Sequence, residues 1–106
     1  MGSAFIGELL GTMILILLGN GVVANVLLNQ SKGQNSGWIV ITAGWAFAVM
    51  SGVFVAQATG SPAAHINPAV TVAAMIGGLP IGDAIQYIAG QFIGAFIGAI
   101  LVWLAY

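Results

Sequence analysis

Three long apolar runs dominate the sequence and constrain its fold more than any other feature. They cover about residues 4–28, 38–57 and 83–106. A helix needs about 20 apolar residues to cross the hydrocarbon core of a bilayer, so each run is long enough to span it. Only 3% of the residues are charged, far fewer than a soluble surface carries. The sequence therefore predicts an all-α integral membrane protein with three transmembrane helices, in contact with the lipid bilayer.

The remaining composition excludes several classes of function. A net charge of −1 offers no basic surface for nucleic acid. The absence of cysteine rules out disulfides and thiolate metal sites. One histidine and two distant acidic residues supply neither a metal site nor a nucleophile–base pair. We therefore expect no metal, no cofactor and no enzymatic activity.

A fourth apolar run follows a polar break and is too short to cross a membrane. Asn67 suits a helix N-cap, because its side-chain oxygen can accept a backbone N–H of the first turn. Pro68 suits the first helical position, where its missing N–H costs nothing. The run ends at Gly77, which leaves about 11 helical residues, or roughly 16 Å. This pattern predicts a re-entrant loop and half-helix over about residues 58–78, with its N-terminus in the middle of the membrane.

The loop before this half-helix contains backbone that has no regular structure at membrane depth. Such backbone is tolerated only where it is buried or lines a water-filled cavity. We therefore expect the carbonyl groups of Ala63, Ala64 and His65 to serve as acceptors for a passing hydroxyl. His65 is the only histidine, and we expect its side chain to hold the loop by hydrogen bonds of its own.

Residues 65–71 (His-Ile-Asn-Pro-Ala-Val-Thr) resemble the first Asn-Pro-Ala loop of the aquaporin and glycerol-facilitator superfamily. Residues 8–12 resemble the signature of that family's first helix, and residues 45–49 resemble its second helix. Its third helix is matched by Tyr87, Gln91, Gly94, Ala95 and Gly98. The resemblance covers the whole chain but only half of a typical member. It implies one of the two inverted repeats of the aquaporin fold, namely an N-terminal repeat over residues 1–106.

The resemblance also implies a function, which is the passive conduction of small neutral solutes, with glycerol first and water second. Trp45 and Val49 lie one turn apart on one helix face, and Trp45 matches the aromatic residue that narrows glycerol-conducting members. Buried packing is the alternative interpretation of Trp45. The expected pore residues are Ala63, Ala64, His65, Ile66, Asn67, Pro68, Ala69, Trp45 and Val49. One departure is Ala63, which stands where the family usually has glycine and which restricts the backbone.

Glu8 is an acidic residue inside the first apolar run. An acid in a spanning helix costs about 2.5–3.5 kcal/mol on insertion scales, so we expect its side chain to face protein. The resemblance implies that its carboxylate supports the pore loop by accepting backbone N–H bonds. The alternative is an interfacial residue near the helix start, where the helix dipole favours an acid.

Further partners are implied by what the chain lacks. The family resemblance implies a second, C-terminal repeat with another Asn-Pro-Ala loop and a pore arginine, and this sequence contains no arginine. Gly90, Gly94 and Gly98 form a close-approach face of which we expect three spans to use only a small part. A missing C-terminal repeat is therefore expected as a partner, and the resemblance implies a homotetramer.

The resemblance also implies a multi-pass protein of the cell (plasma) membrane with a cytoplasmic N-terminus. That orientation puts the loop at residues 29–37 outside the cell. Lys32, the only basic residue, would by the positive-inside rule place the same loop in the cytoplasm. Because one lysine is weaker evidence for the orientation than the matched motifs, we expect the orientation that the resemblance implies.

Two other functions remain open at the level of sequence. The first is a half-size channel that pairs antiparallel with itself, which the near absence of basic residues permits. The second is a structural membrane subunit that conducts nothing and whose glycine faces serve assembly alone.

Overall fold

The computed structural model describes residues 2–106, with side chains from residue 4 onward. It contains four helices and, within these residues, no strand; the helices are α1 (Gly2–Leu27), α2 (Trp38–Ala58), α3 (Pro68–Ile76) and α4 (Ile81–Ala105). Three of them are apolar enough to cross a membrane and include 24, 21 and 25 suitable residues. The predicted fold class, all-helical with three candidate spans and one short helix, is confirmed.

Helix α1 is the centre of the molecule. It packs against α2 and against α4, whereas no helix-to-helix contact joins α2 to α4 among the described residues. The short helix α3 packs on α4. Helix α4 runs parallel to α1, because successive glycines of α4 meet successively later residues of α1. Helix α2 runs antiparallel to α1, because its successive glycines meet successively earlier residues of α1. Helix α1 therefore positions α2 and α4 directly, and α4 in turn positions α3.

Three glycines of α4 allow that helix to touch the backbone of α1. Gly90, Gly94 and Gly98 are all buried, one per turn. A β-carbon at Gly90 would lie 2.6 Å from a carbonyl oxygen of α1, and one at Gly98 would lie equally close to another. At Gly94 a β-carbon would collide with the Leu9 carbonyl group. The parallel course of the two helices keeps these glycines on α1 for three turns.

The expectation that most of this glycine face lacks a partner within the three spans was therefore wrong. All three glycines of this face, Gly90, Gly94 and Gly98, pack against α1 of the same chain. The sequence spacing correctly indicated a face for close helix approach. It could not indicate which helix approaches, because that depends on how the three spans are arranged.

A second close approach joins α1 to α2. A β-carbon on Gly11 would lie 2.7 Å from the Gly52 carbonyl oxygen, and one on Gly52 would lie 2.8 Å from the Gly11 carbonyl oxygen. Neither position therefore accepts a larger residue without moving a backbone. The two helices meet here at the depth at which the loop before α3 returns to them, since the Ile66 side chain contacts both glycines.

The connection between α1 and α2 is a folded turn rather than a loose loop. The Asn35 amide donates to the Val26 carbonyl oxygen at 2.9 Å, and the Gly33 amide donates to Asn25 Oδ1 at 3.3 Å. The first bond satisfies a carbonyl group at the end of α1 that the helix itself leaves free, and the second ties the turn to a side chain of α1. Lys32 is exposed in this turn.

We expect Gly94→Ala to destabilise the protein by at least about 1–3 kcal/mol, because its methyl group must push α4 off α1. The matched control is Gly82→Ala in the same helix, where a β-carbon meets nothing within 4 Å. Thermal unfolding in detergent, followed by tryptophan fluorescence, measures both variants. Equal unfolding temperatures for the two variants would contradict the close contact.

Candidate functional site

Helix α3 begins as the sequence predicted. Asn67 is its N-cap, with φ −160° and ψ 122°, and its Oδ1 accepts the Ala69 amide at 2.8 Å. Pro68 occupies the start of the helix. The helix has 9 residues rather than the expected 11 or so, which corresponds to about 14 Å. Because Oδ1 is used by the cap and the Asn67 side chain is exposed, its amide nitrogen is presented outward as a donor.

The segment that leads into α3 is irregular and contains two unusual backbone conformations. Ala64 has φ 49° and Ile66 has φ 45°, in the left-handed region that favours glycine. Such a conformation costs on the order of 1–3 kcal/mol at a residue other than glycine, so surrounding contacts must hold it. Ala63, where the sequence pattern raised doubt about backbone freedom, is not among the residues with positive φ.

The Glu8 carboxylate holds this segment against α1. Its Oε2 accepts the Ser61 hydroxyl at 2.6 Å and the His65 amide at 3.0 Å. Its Oε1 accepts the Ile66 amide and the Gln91 side-chain amide, both at 2.8 Å. A carboxylate has about four acceptor sites, so these donors use its full capacity. Glu8 is 0% exposed, which places it inside the helix packing rather than at an interface.

The direction of the loop carbonyl groups follows from these bonds. All peptide bonds of the described chain are trans, and in a trans peptide the C=O group points opposite to the N–H group. Since the N–H groups of His65 and Ile66 point at Glu8, the carbonyl groups of Ala64 and His65 point away from it. No backbone amide of the described residues donates to either carbonyl group.

A second set of hydrogen bonds extends from Glu8 through the start of α3. The Gln91 Nε2 atom donates to Glu8 Oε1 and also to Thr71 Oγ1, at 2.9 Å. Thr71 Oγ1 lies 2.9 Å from His65 Nδ1, and the His65 ring contacts the Tyr87 ring with centroids 4.6 Å apart. His65 thus makes a side-chain hydrogen bond of the kind that the sequence led us to expect, and its role in holding the loop stays a prediction.

Sequence reasoning assigned no role to Thr71 or Gln91 in this network. Both side chains are buried. The available signal was an amide in the middle of an apolar span, because such a group requires a polar partner inside the protein. The partner itself lies 83 residues earlier in the chain, which the sequence does not reveal.

The two expected pore residues of α2 lie apart from this network. The Trp45 ring is half-buried and covers Gly19 of α1 so closely that no β-carbon would fit there. Val49 is 45% exposed. No hydrogen bond or ring contact joins either residue to the loop within residues 2–106. Ala63 and Ala69 are exposed, Pro68 is partly exposed, and Ala64 and Ile66 are buried.

The site is built from hydrogen-bonding groups. Among the described residues, no group of three His, Cys, Asp or Glu side chains lies together. The segment offers an exposed donor from Asn67 and, on the side away from Glu8, the carbonyl acceptors of Ala64 and His65. This combination can replace water around a neutral polar solute.

The sequence is similar to known proteins along its whole length. The model of the major intrinsic protein family matches residues 1–106. A probable glycerol uptake facilitator protein from Thermotoga maritima is 57% identical over 98% of this chain and 44% of its own length. A glycerol uptake facilitator protein from Streptococcus pneumoniae is 56% identical over 100% of this chain and 45% of its own.

A more distant relative has a related name. Aquaglyceroporin-3 from Trypanosoma brucei brucei is 44% identical over 90% of this chain and 30% of its own length. No solved structure matches. The chain thus spans somewhat less than half the length of these curated relatives.

We expect Glu8→Gln to release the loop. Each carboxylate oxygen of Glu8 accepts one loop amide, and the glutamine replaces one of these oxygens by an NH₂ group that cannot accept a hydrogen bond. Hydrogen exchange at the His65 and Ile66 amides should accelerate by at least about tenfold, because a hydrogen bond to a charged acceptor contributes about 1.5–3 kcal/mol. Mass spectrometry of the protein in nanodiscs measures this exchange. Asp83→Asn, the same change at the exposed acid of α4, is the matched control, and equal exchange in both variants would contradict the role of Glu8.

Proposed function

Because this chain belongs to the major intrinsic protein family, we propose that it lines half of a passive channel for small neutral solutes, glycerol first and water second. It is a multi-pass membrane protein of a family of transporters rather than enzymes. The observation that carries the proposal is the outward direction of the loop carbonyl groups beside the exposed Asn67 amide. The names of the relatives, glycerol uptake facilitators, favour glycerol as the solute.

A polyol must replace the hydrogen bonds that it gives up on leaving water. The carbonyl groups of Ala63, Ala64 and His65 accept from its hydroxyl groups, and the Asn67 amide donates to them. The α3 N-terminus, with Pro68 and Ala69, adds the positive end of a helix dipole at the same place. A positive end attracts solute oxygen atoms and disfavours cations, so neutral solutes pass without a coupling ion.

The apolar side of the same pathway is assigned to α2. A polyol has a carbon face as well as a hydroxyl face, and Trp45 with Val49 supplies a flat apolar wall for the former. Val49 is exposed and Trp45 is partly exposed, as a lining residue must be. Ile66 contributes its backbone to the pathway, since its side chain is buried.

The surfaces left open by this chain fit a larger assembly. Large apolar side chains are exposed on α2 and α4, including Phe47 and Phe96. Lipid or further protein must cover them. We propose that a second repeat of the same fold completes the pore and that complete protomers form a tetramer. We further propose the plasma membrane as the location, with the N-terminus in the cytoplasm.

We expect Asn67→Asp in the complete protein to reduce glycerol and water flux at least about tenfold, since a desolvated hydroxyl group left without its donor costs about 1–3 kcal/mol. The aspartate keeps the cap oxygen, so the protein should still insert. Stopped-flow light scattering on proteoliposomes measures the flux. Asn29→Asp in the exposed turn is the control, and unchanged flux in the Asn67 variant would remove Asn67 from the pore.

We expect Trp45→Ala in the complete protein to widen the pathway and to raise the permeability of polyols larger than glycerol relative to glycerol. The control is Trp38→Ala at the exposed start of α2, which leaves the contact with Gly19 intact. The same proteoliposome assay measures the ratio of the permeability of larger polyols to that of glycerol. Wild-type selectivity combined with a lower unfolding temperature would show that Trp45 only packs against α1.

A further inference from the structure

Ile66 combines an unfavourable backbone conformation with a buried side chain. Its φ of 45° lies in the left-handed region, where a β-branched residue is a rare outlier and glycine is favoured. Its side chain is nevertheless only 4% exposed, packed in the interior. The cost of this conformation is sustained only where the surrounding contacts hold it, and the buried side chain supplies such contacts.

Those contacts form a socket between α1 and α2. A β-carbon on Gly11 would lie 2.9 Å from Ile66 Cγ2, and one on Gly52 would lie 3.1 Å from Ile66 Cδ1. Ala56, which is buried in the same cluster, closes the socket. We call these residues, Gly11, Gly52 and Ala56, the glycine socket. The missing β-carbons of the two glycines provide the space that the Ile66 side chain fills.

The neighbours of Ile66 in the chain are the groups that face the solute. The peptide group between His65 and Ile66 carries the His65 carbonyl group on one side and the Ile66 amide on the other. That amide donates to Glu8 Oε1 at 2.8 Å. The following residue, Asn67, starts α3. Ile66 therefore lies between an outward acceptor and an outward donor.

The bond to Glu8 does not by itself fix both directions. A glycine at position 66 could keep its N–H on the carboxylate and still rotate about its own φ and ψ, which would turn Asn67 relative to the His65 carbonyl group. A side chain seated between two helices removes this freedom, because the interior is packed and does not deform continuously. The strained φ is thus maintained by the socket.

We propose that Ile66 is a positioning residue for solute selectivity. Seated in the glycine socket, its side chain sets the angle between the His65 carbonyl group and the Asn67 amide, and this angle determines which polyols match both groups. The proposal rests on the proposed channel function. It assigns selectivity to a residue whose side chain does not touch the solute.

The test compares Ile66→Gly with Ile66→Val in the complete protein. Glycine relieves the backbone strain but empties the socket, whereas valine keeps Cγ2 and loses only Cδ1. Both keep the amide that binds Glu8. Permeabilities to water, glycerol and erythritol are measured by stopped-flow light scattering on proteoliposomes, and each is normalised to inserted protein. Ile76→Gly, at the 86% exposed end of α3, is the matched control.

We expect Ile66→Gly to change the glycerol-to-erythritol ratio by about tenfold, within the hundredfold that a displacement of about 1 Å costs a positioned catalytic group. Valine should change the ratio in the same direction by a smaller factor, and the control should leave it unchanged. A role confined to folding would lower all three permeabilities together and leave their ratios as they were.

The outcomes separate this inference from the function on which it rests. Glycerol flux in the unmodified protein with wild-type ratios in both Ile66 variants would overturn the role of Ile66 alone. The absence of glycerol flux in the unmodified protein would overturn the channel function, and the role of Ile66 with it. If Ile66→Gly does not fold, Ile66→Val decides, and an unchanged ratio in that variant overturns the proposal.

Discussion

The structure depends on one buried carboxylate. Glu8 accepts four hydrogen bonds, two from loop amides and two from the side chains of Ser61 and Gln91. A buried carboxylate without donors would be prohibitively costly, and so would loop amides without acceptors. The Glu8 carboxylate and the loop amides therefore satisfy each other's hydrogen-bonding groups. The loop can exist at membrane depth only where α1 places Glu8 against it. The direction in which the loop faces follows from that bond set.

Close backbone contact makes this arrangement rigid. In an apolar environment, packing rather than the hydrophobic effect drives helix association, and small residues allow the greatest contact area. The three buried glycines of α4 and the pair Gly11 and Gly52 provide such contacts on both sides of α1. The first set brings Gln91 to Glu8, and the second forms the seat of Ile66. The same glycines that hold the helices together thus also position the loop.

The start of the half-helix carries the hydrogen-bonding groups of the site. Its cap uses Asn67 Oδ1 and leaves the side-chain amide nitrogen exposed. The trans geometry of the preceding peptides points the carbonyl groups of Ala64 and His65 away from Glu8. The donor and the acceptors are therefore provided by backbone and cap geometry, and neither is a charged group. These uncharged donors and acceptors support the proposal of a neutral polar solute.

The sequence by itself determined the elements whose cause is local. Run length predicted the spans, and Asn67 with Pro68 predicted the start of α3, because hydrophobic thickness and capping act within a few residues. Tertiary structure decided what depends on distant partners: that Gly90, Gly94 and Gly98 meet α1, that Gln91 and Thr71 join the network of Glu8, and that Ile66 is held at a positive φ. Local pattern cannot specify these features, since each requires two segments that only the packing of α1 brings together.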